Sequence, residues 1–316
     1  MVYKILVTES MAKDGPVWLK EHGYEVKYAR GIEAKTLIED LQDCDGVIPR
    51  LAVMSDDVIS QCPRLKVIAR HGAGVDTVDL ESCKRHGVRV VNSVGSNTIA
   101  VSEHAIMLIL ACAKSLNIVQ GHYRSGNYAL GRKNTVAVEL YGKTLGLIGM
   151  GHIGSNVARM VAKGFGMRVL VYDPYLAKGR KPEYVTLVEN RDQVFKESDF
   201  ISIHMPVTPQ TKNSIGAAEF GMMKPKAYIV NTARGTIIDE PALIDALISG
   251  KIAGAGLDVA NPEPAELSNP LFTLSNVILT PHCAGSTLES KARSSLGAAK
   301  GCDEILTGKN PTSLVL

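Results

Sequence analysis

Three residues in the last third of the chain have side chains that can hold an anion, move a proton and steady a charge: Arg234 in NTARG, His282 in TPHCAG and Glu263 in GLDVANPEP. A planar guanidinium grips a carboxylate through two parallel hydrogen bonds. An imidazole titrates near neutral pH and can give or take a proton there. A carboxylate beside an imidazole fixes its ring and favours its protonated form. Taken singly, each has a plainer reading: an arginine after a strand is often a surface ion pair, a glutamate between prolines a solvated loop, a lone histidine structural. Here each closes a predicted strand of one series, and open α/β sheets bind ligands at the carboxyl ends of their strands. Convergence on one sheet edge is the stronger expectation.

A second pattern precedes these residues. Gly149-Met150-Gly151-His152-Ile153-Gly154 follows the apolar run 144–148 and opens a helical segment. A G-x-G-x-x-G in that context allows a tight turn and brings a pyrophosphate close to a helix N-terminus. Asp173 stands nineteen residues beyond Gly154, at the end of the run 169–172. Its carboxylate can accept hydrogen bonds from ribose hydroxyls and would repel a 2′-phosphate, which predicts NAD rather than NADP. The alternative is a plain glycine turn with Asp173 starting an Asp-Pro turn. Lys178, Arg180 and Lys181 follow closely and can reach a phosphate or form a solvated turn.

The elements that must carry these groups alternate along the chain. KILVT, EAKTLIEDLQ, GVIPR, SDDVISQC, LKVIAR, TVDLESCKRHG and VRVVN read as parallel strands joined by helices. A long helical segment from Thr98, TIAVSEHAIMLILACAKSLNIV, follows Asn97 as a possible cap; its apolar residues cover more than one face, which suits either a core helix or one between domains and subunits. A second series, KTLGLIGMGHIG, MRVLVYD, DFISIHMP, KAYIVNT, IAGAGLDV and NVILT, makes a doubly wound sheet, and LESKARSSLGAAKGCDEILTG is a last helix. The expected architecture is an α/β Rossmann doubly wound parallel sheet over 98–287, with a second, smaller flavodoxin-like α/β substrate domain over 1–97 completed by 288–316.

The sequence resembles the D-isomer-specific 2-hydroxyacid dehydrogenase family from its first strands to its final helix. The resemblance implies a hydride transfer between NAD(H) and a small D-2-hydroxy or 2-keto acid, with Arg234 orienting the substrate carboxylate, His282 the acid–base and Glu263 its partner. It implies that Asp258 contacts the nicotinamide amide, and it extends the cofactor set to His204, Met205, Pro206, Thr232, Ala233, Ala284 and Gly285 beside Arg234 and His282. In the first domain ARHGAGVD matches the family's substrate loop, giving His71, Gly72, Ala73 and Gly74 as substrate contacts, with Asn97 nearby and Arg50 able to reach a distal anionic group. Three positions depart from the family pattern: His152 for arginine, Leu51 for the serine of phosphoglycerate dehydrogenases, and His71 for a small residue. They bear on the substrate rather than on the reaction. A phosphoglycerate dehydrogenase-like activity is expected, in a short form without a C-terminal regulatory domain. A glyoxylate or hydroxypyruvate reductase is the alternative, and a non-enzymatic NAD-sensing scaffold of the corepressor kind is the rival from another class.

Composition bounds the rest. A chain of 316 residues exceeds one usual core and suggests two domains. With 45% apolar and 21% charged residues the chain should fold throughout. A net charge of +3 with scattered Lys and Arg gives no polyanion surface, so nucleic acid is not expected as a partner. The six cysteines form no C-x-x-C pair or metal spacing, so they read as reduced thiols with no metal site. The start shows no secretion signal, and the most apolar stretch, 105–113, is about half the ~20 residues of a membrane helix. A cytoplasmic homodimer, with closure over the substrate and no membrane attachment, completes the expectation.

Overall fold

Short runs of Val, Ile and Leu, too brief for stable helices and apolar on both faces, become parallel strands covered on both sides. The computed structural model describes residues 2–176 and 181–316. Two units separate within it, Met1–Asn97 with Gly285–Leu316, and Thr98–Ala284.

In the first unit the chain runs β1 (Lys4–Val7), α1 (Asp14–Glu21), β2 (Glu25–Tyr28), α2 (Ala34–Leu41), β3 (Gly46–Ile48), α3 (Asp56–Ser60), β4 (Val67–Arg70), α4 (Leu80–His86) and β5 (Arg89–Asn92). The strands form one parallel sheet in the order β2-β1-β3-β4-β5, the flavodoxin-like arrangement. One face packs Leu6, Val47, Ile68 and Val90 against Leu37, Leu41, Val58 and Cys83 of the helices. The other packs Ile5, Val67 and Val91 against Leu19 and against Ala298, Ala299 and Cys302. The last three come from the returning C-terminal helix, Leu288–Leu306, capped by Thr287 on the Ser290 N–H. Beyond that helix, Leu314 pairs with Val91 on the sheet edge. Strand β2 was not anticipated: EVKY keeps a charged residue in every second place and has little apolar signal.

The second unit holds α5 (Thr98–Ala113), α6 (Leu116–Arg124), α7 (Tyr128–Asn134), β6 (Thr144–Ile148), α8 (His152–Phe165), β7 (Arg168–Tyr172), β8 (Val185–Leu187), α9 (Arg191–Glu197), β9 (Phe200–Ile203), α10 (Ala217–Met222), β10 (Tyr228–Asn231), α11 (Glu240–Ile248), β11 (Gly254–Leu257) and β12 (Val277–Leu279). Its seven parallel strands run β12-β11-β10-β9-β6-β7-β8, so the order reverses between β6 and β9. That reversal is the Rossmann switch point. Helices α5 and α8 cover one face through Leu108, Ile109, Val157 and Val161. Phe195, Phe220 and Leu243 of α9, α10 and α11 cover the other. Phe195 and Phe220 are fully buried, and truncating either to alanine should cost about 3–5 kcal/mol.

One expectation is corrected. The segment from Thr98 is not one long helix: α5 ends at Ala113, Ser115 takes a left-handed backbone with φ 51°, and α6 leaves at 65°. The apolar bulk of α5 is used in packing. Among the described residues no single helix is long and apolar enough to cross a membrane.

Candidate active site

The switch point is shaped by three glycines with different tasks. Gly149 turns the chain with φ 95°, and a β-carbon there would lie 2.6 Å from the His204 carbonyl that follows β9. A β-carbon at Gly154 would lie 2.3 Å from the Gly149 carbonyl, so this glycine lets α8 close on the loop. A β-carbon at Gly151 would meet nothing within 4 Å. That glycine is the N-cap of α8 and makes no side-chain cap, with exposed His152 and half-buried Ile153 next in the helix. Open space in front of uncapped N–H groups suits an anion.

Asp173 follows β7 directly. Its carboxylate accepts the Met150 N–H at 2.8 Å and the Tyr175 N–H at 2.9 Å, which ties the acid to the glycine loop. An ionised carboxylate has further lone pairs for ribose hydroxyls. On the β9 side, the His204 Nε2 lies 2.9 Å from the Ser202 hydroxyl, and burial pushes its ring down to about 4, so the imidazole is neutral. Met205 and Pro206 follow it. After β10, the Thr232 hydroxyl is buried without a hydrogen-bond partner among the described residues. The open glycine cradle, the uncapped helix and this orphaned hydroxyl fit a dinucleotide. Lys181 reaches the Val185 carbonyl at 3.4 Å, a local turn contact; Lys178 and Arg180 lie outside the described residues.

The acid–base cluster is built by loops after β10, β11 and β12. Asn231 folds the first loop, accepting the Ala233 N–H and donating to the Arg234 carbonyl, both at 2.9 Å. Gly235 then approaches Ala260 so closely that a β-carbon would lie 1.9 Å from its carbonyl, which sets Arg234 beside the second loop. In that loop Glu263 accepts the Ala260 N–H at 3.1 Å through one oxygen and meets His282 Nδ1 at 2.7 Å through the other. The two side chains keep 37% and 49% of their surface exposed.

Charges in the cluster agree with this pairing. The hydrogen bond to Glu263 raises the His282 pKa, burial lowers it, the Glu263 charge raises it, Arg234 opposes and Asp258 adds; the net is upward. Burial alone would push the Glu263 carboxyl up, but His282, the Ala260 N–H and Arg234 bring it below its ordinary value. The pair therefore favours imidazolium and carboxylate.

Asp258 is 1% exposed. Its carboxylate accepts the Thr280 hydroxyl at 2.6 Å and the Cys283 and Ala284 N–H groups at 2.9 Å. His104 of α5 stands 2.9 Å from Thr280 Oγ1 and 3.5 Å from the Asp258 carboxylate. The sequence reading gave neither His104 nor Thr280 a role, because one sits in an apolar helix and the other in a strand end without its own chemistry.

In the first unit, Arg50, Leu51 and Ala52 follow β3 and donate their backbone N–H groups to the Glu9 carboxylate. His71 follows the adjacent β4 and is buried; burial first, then the Arg50 and Arg70 charges, hold its pKa down. Its Nε2 has no hydrogen-bond partner among the described residues. The carbonyls of Gly72 and Ala73 are tied to the Ser93 N–H and the Asn92 side chain. Since N–H and C=O of one trans peptide point opposite ways, the N–H groups of Ala73 and Gly74 turn away from β5. Asn97 lies at the end of this stretch, where a β-carbon on Gly285 would sit 3.4 Å from its Nδ2. Arg50, His71 and the glycine loop thus share one edge of this sheet.

Comparisons with known proteins fit this geometry. The family model described as D-isomer specific 2-hydroxyacid dehydrogenase, NAD binding domain, matches residues 106–284. A D-3-phosphoglycerate dehydrogenase of Methanocaldococcus jannaschii is 40% identical over 314 residues, 99% of this chain and 59% of that protein. A glyoxylate reductase of Korarchaeum cryptofilum is 35% identical over 99% of this chain and 95% of its own length. Among solved structures, an NAD-dependent formate dehydrogenase of Staphylococcus aureus in complex with NAD superposes with a TM-score of 0.86 at 31% identity, covering 99% of both chains. The chain spans a little over half the length of the phosphoglycerate dehydrogenases it matches. On the matched model and on identity across almost its whole length, this chain belongs to the D-isomer-specific 2-hydroxyacid dehydrogenase family.

Proposed function

We propose that the chain is an NAD-dependent oxidoreductase that interconverts a small D-2-hydroxy acid and its 2-keto acid, with a phosphoglycerate dehydrogenase-like substrate. The observation that carries this reading is the 2.7 Å pair of His282 and Glu263 beside Arg234. The nicotinamide, when bound, supplies or takes the hydride. Arg234 binds the substrate carboxylate and polarises the neighbouring carbonyl. His282, held as imidazolium by Glu263, gives its proton to the developing alkoxide and recovers it in the reverse direction. Formate oxidation transfers no substrate proton, so the pair favours a hydroxy-acid reaction over that one.

The cradle for the dinucleotide comprises Gly149, Gly151, Gly154 and the first N–H groups of α8, with Asp173 on the adenosine ribose. Thr232, Ala233, His204, Met205, Pro206, Asp258, Ala284 and Gly285 complete that assignment. In the first unit the N–H groups of Ala73 and Gly74 are assigned to the substrate carboxylate, with His71, Gly72 and Asn97 around them and Arg50 for a distal anionic group. The phosphoglycerate dehydrogenases at 34–40% identity support a phosphorylated three-carbon substrate, and the glyoxylate reductase supports the shorter alternative.

A steady-state panel with NADH against phosphohydroxypyruvate, hydroxypyruvate, glyoxylate, pyruvate and 2-ketoglutarate decides among these readings. Highest efficiency with phosphohydroxypyruvate, lost in Arg50→Ala while glyoxylate is unaffected, is the expected result. Turnover of none of them would leave a scaffold that only binds NAD. The location we assign is the cytoplasm, and the assembly a homodimer without nucleic-acid or membrane partners. The dimer reading is supported by an apolar groove beside α5 lined by Ile106, Met107, Leu110, Leu116, Met160 and Phe165, flanked by Glu103 and Lys114. A second copy placed antiparallel sets the acid of each chain against the ammonium of the other.

A further inference from the structure

The imidazole of His282 hangs from a backbone that a residue with a β-carbon rarely adopts: its φ is 49°. Such a conformation persists where surrounding contacts over-determine it. Here Asp258 supplies most of them, the Thr280 carbonyl adding a second, longer contact to the His282 N–H at 3.0 Å. The Asp258 carbonyl takes the His282 N–H at 2.7 Å, and the Asp258 carboxylate takes the next two amides, Cys283 through Oδ1 and Ala284 through Oδ2. Three consecutive N–H groups of the turn are thus held by Asp258. The orientation of its carboxylate therefore fixes the two amides that follow His282.

That carboxylate is fixed from behind. The Thr280 hydroxyl lies 2.6 Å from Oδ1, and because an ionised carboxylate only accepts, the hydroxyl proton points at Asp258. The threonine oxygen then offers its lone pairs to His104 Nε2, 2.9 Å away, so this nitrogen must carry a hydrogen. The chain of donation runs from His104 on α5 to Thr280 after β12, then to Asp258 after β11, which holds the turn of His282. The His104 side chain is 14% exposed, and one of its ring nitrogens lies within 4.8 Å of the Cys283 sulfur.

We propose that His104 is a positioning residue for the acid–base step: through Thr280 and the Asp258 carboxylate it fixes the left-handed turn that aims His282 at Glu263. This rests on the reading of His282 and Glu263 as the acid–base pair. The charged groups facing His282 are Glu263, Arg234 and Asp258. Those facing His104 in the cluster are Asp258 and Cys283. When the turn loosens, the Nδ1 to Glu263 bond is the contact that suffers, and with it the support for the imidazolium.

The test reads the His282 titration midpoint by NMR of histidine-labelled enzyme without substrate, beside the pH profile of kcat for keto-acid reduction. His104→Phe keeps the ring bulk and removes the donor; Thr280→Val interrupts the same chain with an isosteric side chain; His104→Gln restores an N–H donor. We expect the first two to lower the His282 midpoint by about half a pH unit or more and to reduce kcat by about tenfold. His104→Gln should recover most of both. In a Glu263→Gln background, His104→Phe should add no further midpoint shift, since the contact it protects is already gone. An unmoved midpoint in folded His104→Phe and Thr280→Val, with Glu263→Gln still lowering it, overturns the role of His104 alone. So does a His104→Gln variant that behaves as His104→Phe does, or shifts that add in the double variant. If Glu263→Gln itself leaves the midpoint in place, the pair fails, and the proposal with it.

Discussion

His282 titrates under charges that pull in different directions, and in the proposed reaction the sign of their sum sets the pH behaviour. Its pKa lies above the ordinary value because the Glu263 bond and charge outweigh burial and Arg234. With His282 as the acid of the proposed reduction, its imidazolium survives to higher pH than a free histidine would allow, and the reduction rate should fall once pH passes that raised pKa. Hydroxy-acid oxidation needs the neutral ring and rises over the same range. Glu263→Gln removes the largest support, so the alkaline limb of reduction should move to lower pH, measured with chemistry rate-limiting; an unmoved or higher limb would sink the pairing. His282→Gln should cost at least ~10²-fold in turnover and leave NADH binding nearly intact. Asp173 carries a second expectation at this scale. Its carboxylate sits at the glycine loop, tied to the Met150 N–H, where a 2′-phosphate would meet like charge. The parent enzyme should prefer NADH, and Asp173→Ser should narrow that preference by about tenfold or more. Equal efficiency with both cofactors in the parent would refute the assignment.

Among the elements, α8 and its loop depend on one missing side chain. The Gly154 backbone lies so near Gly149 that any β-carbon would sit 2.3 Å from its carbonyl. Backbone cannot swing aside as a flexible side chain can, so the helix must retreat from the loop. Gly154→Ala should therefore lose about 1–3 kcal/mol in urea unfolding and weaken NADH binding by about tenfold, read from cofactor fluorescence. Gly151→Ala, whose β-carbon meets only open space in the free protein, should spare stability and weaken NADH alone. The pair separates the two glycines: similar stability losses in both would mean that the loop, and not the cofactor, needs Gly151. The α5 segment teaches the limit of periodicity. Its composition continues smoothly past Ala113, yet the helix breaks at Ser115, whose side-chain hydroxyl is bonded to the Val136 carbonyl at 2.7 Å. A distant segment decided that boundary.

At the scale of the molecule, the apolar groove beside α5 predicts self-association. Met107 is 43% exposed there, and Met107→Glu would set a carboxylate into the apolar contact with a second copy. On the proposed assembly, sedimentation velocity should find the parent as a dimer and Met107→Glu as a monomer at micromolar concentration; a monomeric parent would remove the interface reading. The sequence by itself determined the alternation of apolar runs and helices, and with it the central strands of both parallel sheets, because strands buried on both faces need continuous apolar runs. It also marked the candidates for chemistry: G-x-G-x-x-G with Asp173 is a local pattern, and Arg234, Glu263 and His282 each lie in a loop after a strand of one sheet. What it left open were contacts between segments far apart in the chain. Strand β8 is three residues long and joins the sheet by pairing with β7. The close approach of Gly235 to Ala260, the left-handed backbone of His282 and the link from His104 through Thr280 to Asp258 each join loops or helices that no spacing rule connects. Type and period are written locally, whereas the distance from Glu263 to His282 is fixed only when three strands stand side by side and their loops pack.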